Sequence, residues 1–496
     1  MPGRETDLSP LNQARQDEVQ GGGAQDNGDR NLASVEIQND EADEEDPLLE
    51  SLGSFWHTGE DDATLGEMYR SVQSEDKGDK GASFWSRFLF FMGPGGLVAV
   101  GYMDPGNWAT DLAGGSAYNY RLLFVIVVSS VMAMFLQSLA LRLGLVARLD
   151  LAQACRAQYS QRASFILWIA CEIAITACDL AEVIGSAVAM KLLFGLPMLW
   201  GVLVTALDVL IIISLGLGRI RVMEYVVAGL IAVIGVCFAI ELYWSKPDLL
   251  LIIKGSLIPS SDLILDPGML YIGVGILGAT VMPHNLYLHS SVVQTRDVGK
   301  TAKAVQEAIS MSLLDSNLAL TFAFFVNGAI LILAASTFYK NGHKDVADLE
   351  QAYTMLHDIL GTRAASVLFG TALLVSGQQS TFTGTLAGQI VMEGFVQWHL
   401  RPEVRRLVTR LAAVVPAVLV ILFAGEAAVN DLLVLSQVVL SLQLPCAVFP
   451  LVMFTSNPDI MGEFVNSLTT KVVAWAVAIV ILVLNFVLVV QIIAGP

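Results

Sequence analysis

The chain has 496 residues, of which 54% are apolar and only 15% are charged, and its mean hydropathy is +0.62. This composition excludes an ordinary soluble globular protein and is typical of a polytopic membrane protein. The net charge of −18 is concentrated in residues 1–81, which carry 21 acidic and 6 basic side chains, so the remaining 415 residues sum to only −3. The acidity therefore describes one segment and gives no indication of a nucleic-acid partner or of a substrate.

Residues 1–81 form an acidic N-terminal segment rich in Gly, Asp, Glu, Gln and Ser, a composition that predicts a disordered tail. The segment has no apolar stretch of the kind found in a cleaved signal peptide. Its acidic run Glu44-Glu45-Asp46-Pro47-Leu48-Leu49 resembles an endosomal or vacuolar sorting signal that an adaptor reads through Glu44, Leu48 and Leu49. Two leucines without such a role, in an acidic disordered segment, are an equally good interpretation.

Residues 82–496 are predicted to form the membrane domain, because apolar runs of about 20 residues recur along them. Basic residues cluster after the second, fourth, sixth and eighth runs, whereas the loop Leu249–Asp266 is poor in them. The positive-inside rule therefore predicts a cytoplasmic N-terminus and a C-terminus on the opposite side. An amphipathic surface helix is predicted within Val346–Leu360. The eleven predicted spans are 86–118, 121–147, 164–190, 197–217, 222–243, 267–294, 306–338, 362–398, 403–425, 430–454 and 470–493.

Two of the predicted spans are interrupted near their middle. Asp104-Pro105-Gly106-Asn107 lies inside the first span, and Met282-Pro283-His284-Asn285 lies inside the sixth. A proline at such a position breaks the helix, and the freed backbone groups are tolerated at membrane depth only where they line a cavity or bind a ligand. Because the breaks are five spans apart, they indicate an inverted repeat of two five-helix halves, about 86–243 and 267–454, with a peripheral helix at 470–493.

The side chains beside the two breaks suit a transition-metal ion. Asp104 offers an anionic oxygen and Asn107 an amide oxygen, and the unwound backbone adds carbonyl oxygens, expected from Gly101 and Ala279. Met282 is the most informative of the set, since a thioether is a soft ligand with little affinity for magnesium or calcium. Such a mixed shell suits manganese, iron(II), cobalt or cadmium. A simple turn at Asp104 with Met282 as a core residue is the alternative, which a membrane-embedded aspartate disfavours.

A second group of ionisable residues lies on the third span. Glu172, Asp179 and Glu182 are separated by seven and three residues, which places all three on one helical face. Three carboxylates on one face of a membrane helix predict a proton or cation relay, with Arg405 and Arg406 of the ninth span as cationic partners. A structural network of salt bridges is the alternative.

Two histidines, His284 and His289, follow the second break. A histidine near a metal and a carboxylate can titrate near neutral pH and carry protons, although a buried histidine often has a structural role alone. The five cysteines show no CxxC pairing and are expected to behave as small buried hydrophobic residues. The sequence has no phosphate-binding loop and no nucleophile with a partnered base that would indicate enzymatic chemistry.

The sequences around both breaks are recognisable. Gly101–Thr110 reads GYMDPGNWAT and Gly278–Ser290 reads GATVMPHNLYLHS, and both resemble the Nramp family (natural resistance-associated macrophage proteins), which transports manganese and iron(II) together with protons. The resemblance runs from about Gly93 to the C-terminus. It implies an all-α polytopic membrane protein with 11 transmembrane helices and a LeuT-like 5+5 inverted repeat with broken helices 1 and 6, the fold shared with sodium-coupled amino-acid transporters.

The resemblance also implies roles for single residues. It implies a metal shell made of Asp104, Asn107, Met282, the backbone oxygens of Gly101 and Ala279 and, in some conformations, Gln437. The proton pathway that it implies comprises His284, Glu182, Asp179, Glu172, Arg405, Arg406 and His289. Gly101 replaces an alanine found in many relatives, which leaves a backbone oxygen in place. Met282 is retained here, whereas family branches that handle magnesium or aluminium typically lose it.

We therefore expect proton-coupled symport of manganese and iron(II), and also of cadmium and cobalt, into the cytoplasm by alternating access. Metal ions and protons are the expected substrates, with no resident cofactor, and the expected location is the plasma membrane or an endosomal or vacuolar membrane. A non-transporting metal sensor on the same fold is one alternative, disfavoured because no sizeable soluble output domain is predicted. A sodium-coupled carrier of organic solutes is another, disfavoured by Met282 and the intramembrane acids.

Overall fold

The computed structural model of this protein describes residues 84–205, 220–296, 298–299, 301–344, 346, 348–397, 402–426 and 428–494. All regular elements within these ranges are helices. The N-terminal segment 1–81, including Glu44, Leu48 and Leu49, lies outside the described residues, so the domain boundary and the sorting signal stay predictions.

The helices of the first half surround the first break. They are α1 (Phe84–Phe91), α2 (Pro94–Gly101), α3 (Pro105–Tyr118), α4 (Leu123–Ala147), α5 (Leu151–Gln158), α6 (Gln161–Phe194) and α7 (Ile220–Ser245). A 3₁₀ turn over Asn119–Leu122 connects α3 to α4. Two short helices, α8 (Leu249–Leu257) and α9 (Asp262–Leu265), connect this half to the next one.

The helices of the second half surround the second break, and a final helix follows them. They are α10 (Pro267–Val281), α11 (Pro283–Val292), α12 (Ala302–Thr337), α13 (Leu349–Leu360), α14 (Arg363–Val396), α15 (Pro402–Ala424), α16 (Ala428–Thr455), α17 (Pro458–Met461) and α18 (Leu468–Ala494). The predicted surface helix is confirmed as α13, whose Leu349 and Leu356 are buried and which packs against α14.

Ten of the eleven predicted spans coincide with described helices to within a few residues. The remaining one, 197–217, is helical over residues 198–205 and then lies outside the described residues. Eight helical stretches in the described part are long and apolar enough to cross a membrane. The predicted span 362–398 is not among them, because the middle of α14 is rich in polar residues such as Gln378, Gln379 and Ser380.

The four half-helices of the broken spans occupy the centre of the bundle. All residues of α11, and all residues of α10 from Gly273 onward, are buried. The longer helices enclose them, with α12 against α2 and α3, and α16 against α10. The most extensive helix pair is α6 with α14, which lies beside α3. The fold therefore buries the half-helices of the second break inside the bundle.

Candidate metal centre

The first break separates α2 from α3 at Asp104. Asp104 has extended backbone angles (φ −70°, ψ 163°) and caps α3, because its Oδ1 accepts a hydrogen bond of 2.9 Å from the backbone N–H of Asn107. Pro105 is the first residue of α3, a position at which proline is well tolerated. Because proline has no N–H, it cannot donate to the carbonyl of Gly101 four residues earlier. The break therefore frees a carbonyl oxygen beside a buried carboxylate.

The second break separates α10 from α11 at Met282. Its backbone adopts φ +39° and ψ 104°, a conformation that favours glycine, and no side chain caps α11. Pro283 opens α11 and cannot donate to the carbonyl of Ala279, which therefore loses its helical partner. Both carbonyl groups that the sequence assigns to the site are thus the ones that the two prolines leave without a helical hydrogen bond.

The two breaks contact each other directly. A Cβ atom added to Gly101 would lie 2.9 Å from Met282 Sδ and 2.3 Å from Asn285 Nδ2, so only glycine fits between them without displacing a neighbour. Asn285 Nδ2 donates to Met282 Sδ at 3.6 Å. Asp104 and Met282 are both fully buried. The structure therefore buries the carboxylate and the thioether, and it brings Met282 of the second break against Gly101 of the first.

Two amide side chains complete the centre. Asn107 donates from Nδ2 to the carbonyl of Tyr102 at 2.6 Å, and Gln437 of α16 donates from Nε2 to Ser436 Oγ at 2.9 Å. Within the described residues, neither Asn107 Oδ1 nor Gln437 Oε1 has a hydrogen-bond partner, although both atoms are buried. Buried polar atoms without a partner are rare and call for an explanation. Two spare amide oxygens next to Asp104 are available as ligands for a cation.

Gln437 approaches the first break so closely that a Cβ atom on Gly106 would lie 1.8 Å from its Nε2. No group of three His, Cys, Asp or Glu side chains in the described part could hold a metal ion. A metal at the breaks would therefore be held by mixed donors, namely one carboxylate, amide and carbonyl oxygens and one thioether. Such a donor set fits a transition metal of intermediate softness better than magnesium or calcium.

Cys178 of α6 connects the breaks to the acidic face of the third span. Its Sγ lies 3.6 Å from Asp104 Oδ2 and 3.9 Å from Glu182 Oε1. No role for Cys178 was predicted from the sequence. The signal that could have found it is its spacing, since it precedes Glu182 by four residues and therefore lies on the same helical face.

Glu182 and Asp179 lie together against α14. A Cβ atom on Gly384 would lie 3.2 Å from Asp179 Oδ1 and 3.2 Å from Glu182 Oε1. Arg410 of α15 approaches Glu182 Oε2 to 3.5 Å with Nη1 and donates from Nη2 to Thr381 Oγ1 at 3.0 Å. Both Arg410 and Glu182 are buried, so this pair is shielded from water.

The predicted arginine partners were Arg405 and Arg406. Both lie in α15, but their side chains are outside the described part of the structure, so their role stays a prediction. The missed Arg410 follows Arg406 by four residues and lies on the same face of α15, which is the signal that could have found it.

The remaining predicted relay residues are more widely spread. Glu172 is half-buried nearer the N-terminal end of α6 and accepts a hydrogen bond of 2.8 Å from Trp168 Nε1. His284 is buried directly after the second break, and its Nδ1 has no hydrogen-bond partner among the described residues. The structure therefore places His284, Asp179 and Glu182 close to the breaks and Glu172 farther along α6.

His289 belongs to a chain of polar contacts that leads back to the first break. Its Nδ1 lies 2.9 Å from Gln137 Oε1, and Gln137 Nε2 donates to the hydroxyl of Tyr102 at 3.3 Å. Gln137 and Tyr102 were not predicted from the sequence, although a glutamine inside the apolar helix α4 is itself a signal of a buried polar contact.

Comparison of the sequence with known proteins identifies relatives of this chain. The family described as "Natural resistance-associated macrophage protein-like" matches residues 95–491. The MntH divalent metal cation transporter of Nostoc is 55% identical over 422 residues, which covers 85% of this chain and 94% of the relative. The MntH transporter of Bradyrhizobium diazoefficiens is 52% identical over 444 residues, which covers 89% of this chain and 98% of the relative.

Solved structures of transporters also resemble this chain in fold. The crystal structure of the Eremococcus coleocola manganese transporter is similar with a TM-score of 0.78 at 40% identity, covering 86% of this chain and 90% of that one. Mhp1, a nucleobase-cation-symport-1 family transporter, matches with a TM-score of 0.53 at 15% identity, covering 80% and 89% of the two chains. The second likeness concerns the fold alone. Together they confirm the predicted fold class, an all-α membrane protein with a LeuT-like architecture.

Proposed function

This chain belongs to the natural resistance-associated macrophage protein (Nramp) family, and from that premise we propose that it transports divalent transition-metal ions into the cytoplasm together with protons. Manganese and iron(II) are the proposed principal substrates, with cadmium and cobalt as further ones. Relatives named as divalent metal cation transporters, and a solved structure named as a manganese transporter, support this proposal.

The donor set at the two breaks carries the proposal. Asp104 supplies a carboxylate oxygen, Asn107 and Gln437 supply amide oxygens that have no hydrogen-bond partner among the described residues, and Met282 supplies sulfur. An ion that enters this closed centre must exchange most of its water for these ligands. Magnesium loses water reluctantly and calcium prefers six to eight oxygens, so one thioether in a small shell selects against both ions.

Transport further requires that the centre open alternately to the two sides of the membrane. The N-terminal end of α2 is fixed to α12 by Asp315. The Oδ2 atom of Asp315 accepts hydrogen bonds from the N–H groups of Gly95 at 2.8 Å and Gly93 at 3.2 Å. Beside it, Glu224 of α7 pairs with Arg296 at 2.7 Å. Release of the metal past the N-terminal end of α2 requires α2 to move away from α12 and α7, which breaks these contacts.

Proton movement is proposed along α6. Cys178 lies between Asp104 and Glu182, and Glu182 contacts Arg410, so a continuous line of polar groups leads from the metal centre to α15. A proton displaced from the centre by an arriving cation has acceptors along this line. His284, Asp179, Glu172, Arg405, Arg406 and His289 are the other proposed members of the pathway.

The proposed orientation follows the distribution of basic residues and places the N-terminal segment in the cytoplasm. The curated relatives named above come from bacteria, which favours the plasma membrane over an endosomal or vacuolar membrane. Recognition of Glu44, Leu48 and Leu49 by a sorting adaptor stays a prediction.

The test of the proposal is uptake of radiolabelled manganese into proteoliposomes that contain the purified protein, with and without an inward proton gradient. We expect uptake above that of empty vesicles, stimulated by the gradient, inhibited by iron(II) and cadmium and little affected by calcium. A folded protein that binds manganese without moving it would instead identify a membrane metal sensor. Sodium-driven uptake of an organic solute with no metal flux would identify a sodium-coupled carrier of organic solutes.

Proton coupling is tested separately with Glu182→Gln, using a pH-sensitive dye inside the vesicles. The matched control is Glu463→Gln, which neutralises an exposed glutamate in the connection between α17 and α18. We expect Glu182→Gln to lower proton entry during manganese uptake, while Glu463→Gln behaves like the wild type. Unchanged proton entry in Glu182→Gln would exclude this residue from the pathway.

A further inference from the structure

Helices α8 and α9, in the connection between the two halves, carry a large uncovered apolar face. α8 has the sequence LLLIIKGSL, and none of its residues is buried. Leu250 and Leu257 are 75% and 70% exposed, and Leu265 at the end of α9 is 77% exposed. A soluble loop rarely leaves so many large apolar side chains in water, because their exposure opposes the hydrophobic effect.

The opposite face of the same pair is fixed to the bundle. Ile252 of α8 and Leu263 of α9 pack into an apolar cluster that includes Tyr120, Leu122 and Met269. The backbone at Gly255 approaches so closely that an added Cβ would lie 2.2 Å from the carbonyl oxygen of Tyr120. One face of α8 and α9 therefore packs against the helix bundle, and the opposite face is exposed.

The position of the free face identifies its partner. α8 begins four residues after the end of α7 and α9 ends two residues before α10, so the pair lies where two membrane-spanning helices reach the surface. Tyr243, near that end of α7, is 80% exposed. The apolar face therefore lies beside the ends of α7 and α10, where the spanning helices reach the surface.

The charges agree with this assignment. Lys254 is the single charged residue within α8, and its long stem lets the ammonium group reach the headgroup layer while the neighbouring leucines stay in apolar surroundings. Asp262 of α9 forms an exposed ion pair of 2.7 Å with Arg121, which lies in the turn after α3. Lys254 lies on the same helical face as Leu250 and Leu257, so its ammonium group can reach the headgroup layer only by extending along that face.

We propose that α8 and α9 form an interfacial element that rests in the bilayer, on the side opposite α1, with Leu249, Leu250, Ile253, Leu257 and Leu265 toward the acyl chains. The element touches the outer ends of both broken spans. Gly255 contacts Tyr120, just after α3, and Asp266 leads from α9 into α10, which it caps through a 2.8 Å bond from Gly268 N–H to Oδ1. Lipid thereby provides a fixed support for the outer half-helices.

The test measures where spin labels on this face lie. Single-cysteine labels are placed at Leu250→Cys and Leu257→Cys, in vesicles of palmitoyl-oleoyl phosphatidylcholine and phosphatidylglycerol. Val131→Cys, on the lipid-facing side of α4 and 61% exposed, is the lipid control, and Thr354→Cys, on the exposed side of α13, is the water control. Collisions with molecular oxygen and with a water-soluble nickel chelate are compared by electron paramagnetic resonance. The wild type, treated with the same label, corrects for the native cysteines.

We expect the ratio of oxygen to nickel collisions at 250 and 257 to match that at 131 and to exceed that at 354 several-fold. A ratio equal to that at 354 would show that the face meets water and would overturn the proposal. Low collision rates with both reagents would show that a second copy of the chain covers the face, which would also overturn it.

A second readout addresses the supporting role and rests on the proposed function. The double variant Leu250→Ser, Leu257→Ser is expected to lower manganese uptake several-fold while the protein stays folded. Uptake equal to the wild type would remove the supporting role and leave the location to the spin labels. If the wild type itself moves no manganese, the proposed function fails, and the spin-label result still decides where α8 and α9 lie.

Discussion

The two helix breaks share one device, a proline that opens the second half-helix, but they are built differently around it. At the first break Asp104 keeps ordinary extended backbone and caps α3 with its own carboxylate. At the second break Met282 adopts a positive φ of 39°, and no side chain caps α11. One break is thus satisfied locally by a polar side chain, whereas the other holds an apolar side chain on an unfavourable backbone.

Because the two breaks are built differently, one carries the carboxylate ligand candidate and the other carries the thioether. The cap uses Oδ1 of Asp104 and leaves Oδ2 beside Cys178, so the carboxylate is held in place and still available to a cation. At the second break the unusual backbone places the sulfur of Met282 against Gly101 of the first. Backbone strain of this kind costs of order 1–3 kcal/mol and tends to occur at functional sites. The hard and the soft donor therefore come from different halves of the fold.

The largest expected effect comes from removing the charge of the first break. Asp104→Asn keeps a residue that caps helices as well as aspartate does, so the fold should survive. It removes the only carboxylate of the donor set, and we expect manganese uptake into proteoliposomes to fall to the level of empty vesicles. Thermal unfolding in detergent should stay close to that of the wild type. Uptake at the wild-type rate would show that the carboxylate is not a ligand.

The next effect comes from removing the sulfur of the second break. Met282→Ala leaves all oxygen donors in place, so we expect manganese uptake to persist with affinity reduced about tenfold, equivalent to ~1.4 kcal/mol. Calcium should become an effective competitor, because the soft ligand that disfavours it is gone. Met132→Ala, which removes a buried thioether from α4, is the matched control. Calcium inhibition as weak as in the wild type would contradict a selective role for the sulfur.

The breaks also show what the sequence could and could not predict. Prolines inside apolar runs located both breaks, and their positions identified Gly101 and Ala279 as the residues with freed carbonyl groups. The run lengths located ten described spans to within a few residues. These features depend only on local chemistry and on the period of the helix.

Features that depend on packing between distant helices were not predicted. Nothing in the local sequence tells that Arg410 of α15 lies 3.5 Å from Glu182 of α6, because helix periodicity gives a face and not the partner opposite it. Gln437 contacts Gly106 across more than three hundred residues, and its place beside the first break was predicted only from the family resemblance, not from the local residues. The exposed face of α8 was missed for a related reason, since a short apolar run looks the same whether it faces protein or lipid.

A glycine is required for space at the first break, and replacing it should have an intermediate effect. Gly106→Ala would place a methyl group 1.8 Å from Gln437 Nε2, so either Gln437 or α3 must move. We expect a loss of about 1–3 kcal/mol in stability, the usual cost of overpacking, seen as a lower unfolding temperature in detergent. Gly96→Ala in α2 is the control, because an added Cβ there meets no atom of the described residues within 4 Å. Equal unfolding temperatures for both variants would contradict the close packing of α16 on this break.

The second break lacks a glycine where its backbone would favour one, and this gives the smallest expected effect. Met282→Gly and Met282→Ala both remove the sulfur, but only glycine adopts a positive φ without strain. Relief of strain worth about 1–3 kcal/mol is partly offset by the entropy that glycine loses on folding, about 0.5–1 kcal/mol. We therefore expect Met282→Gly to be more stable than Met282→Ala by roughly 1 kcal/mol. Both variants should be equally sensitive to calcium, since metal selection depends on the sulfur and not on the backbone. If Met282→Gly were less stable than Met282→Ala, the positive φ at residue 282 would carry no strain. The position of the sulfur beside the first break would then have no cost in backbone free energy.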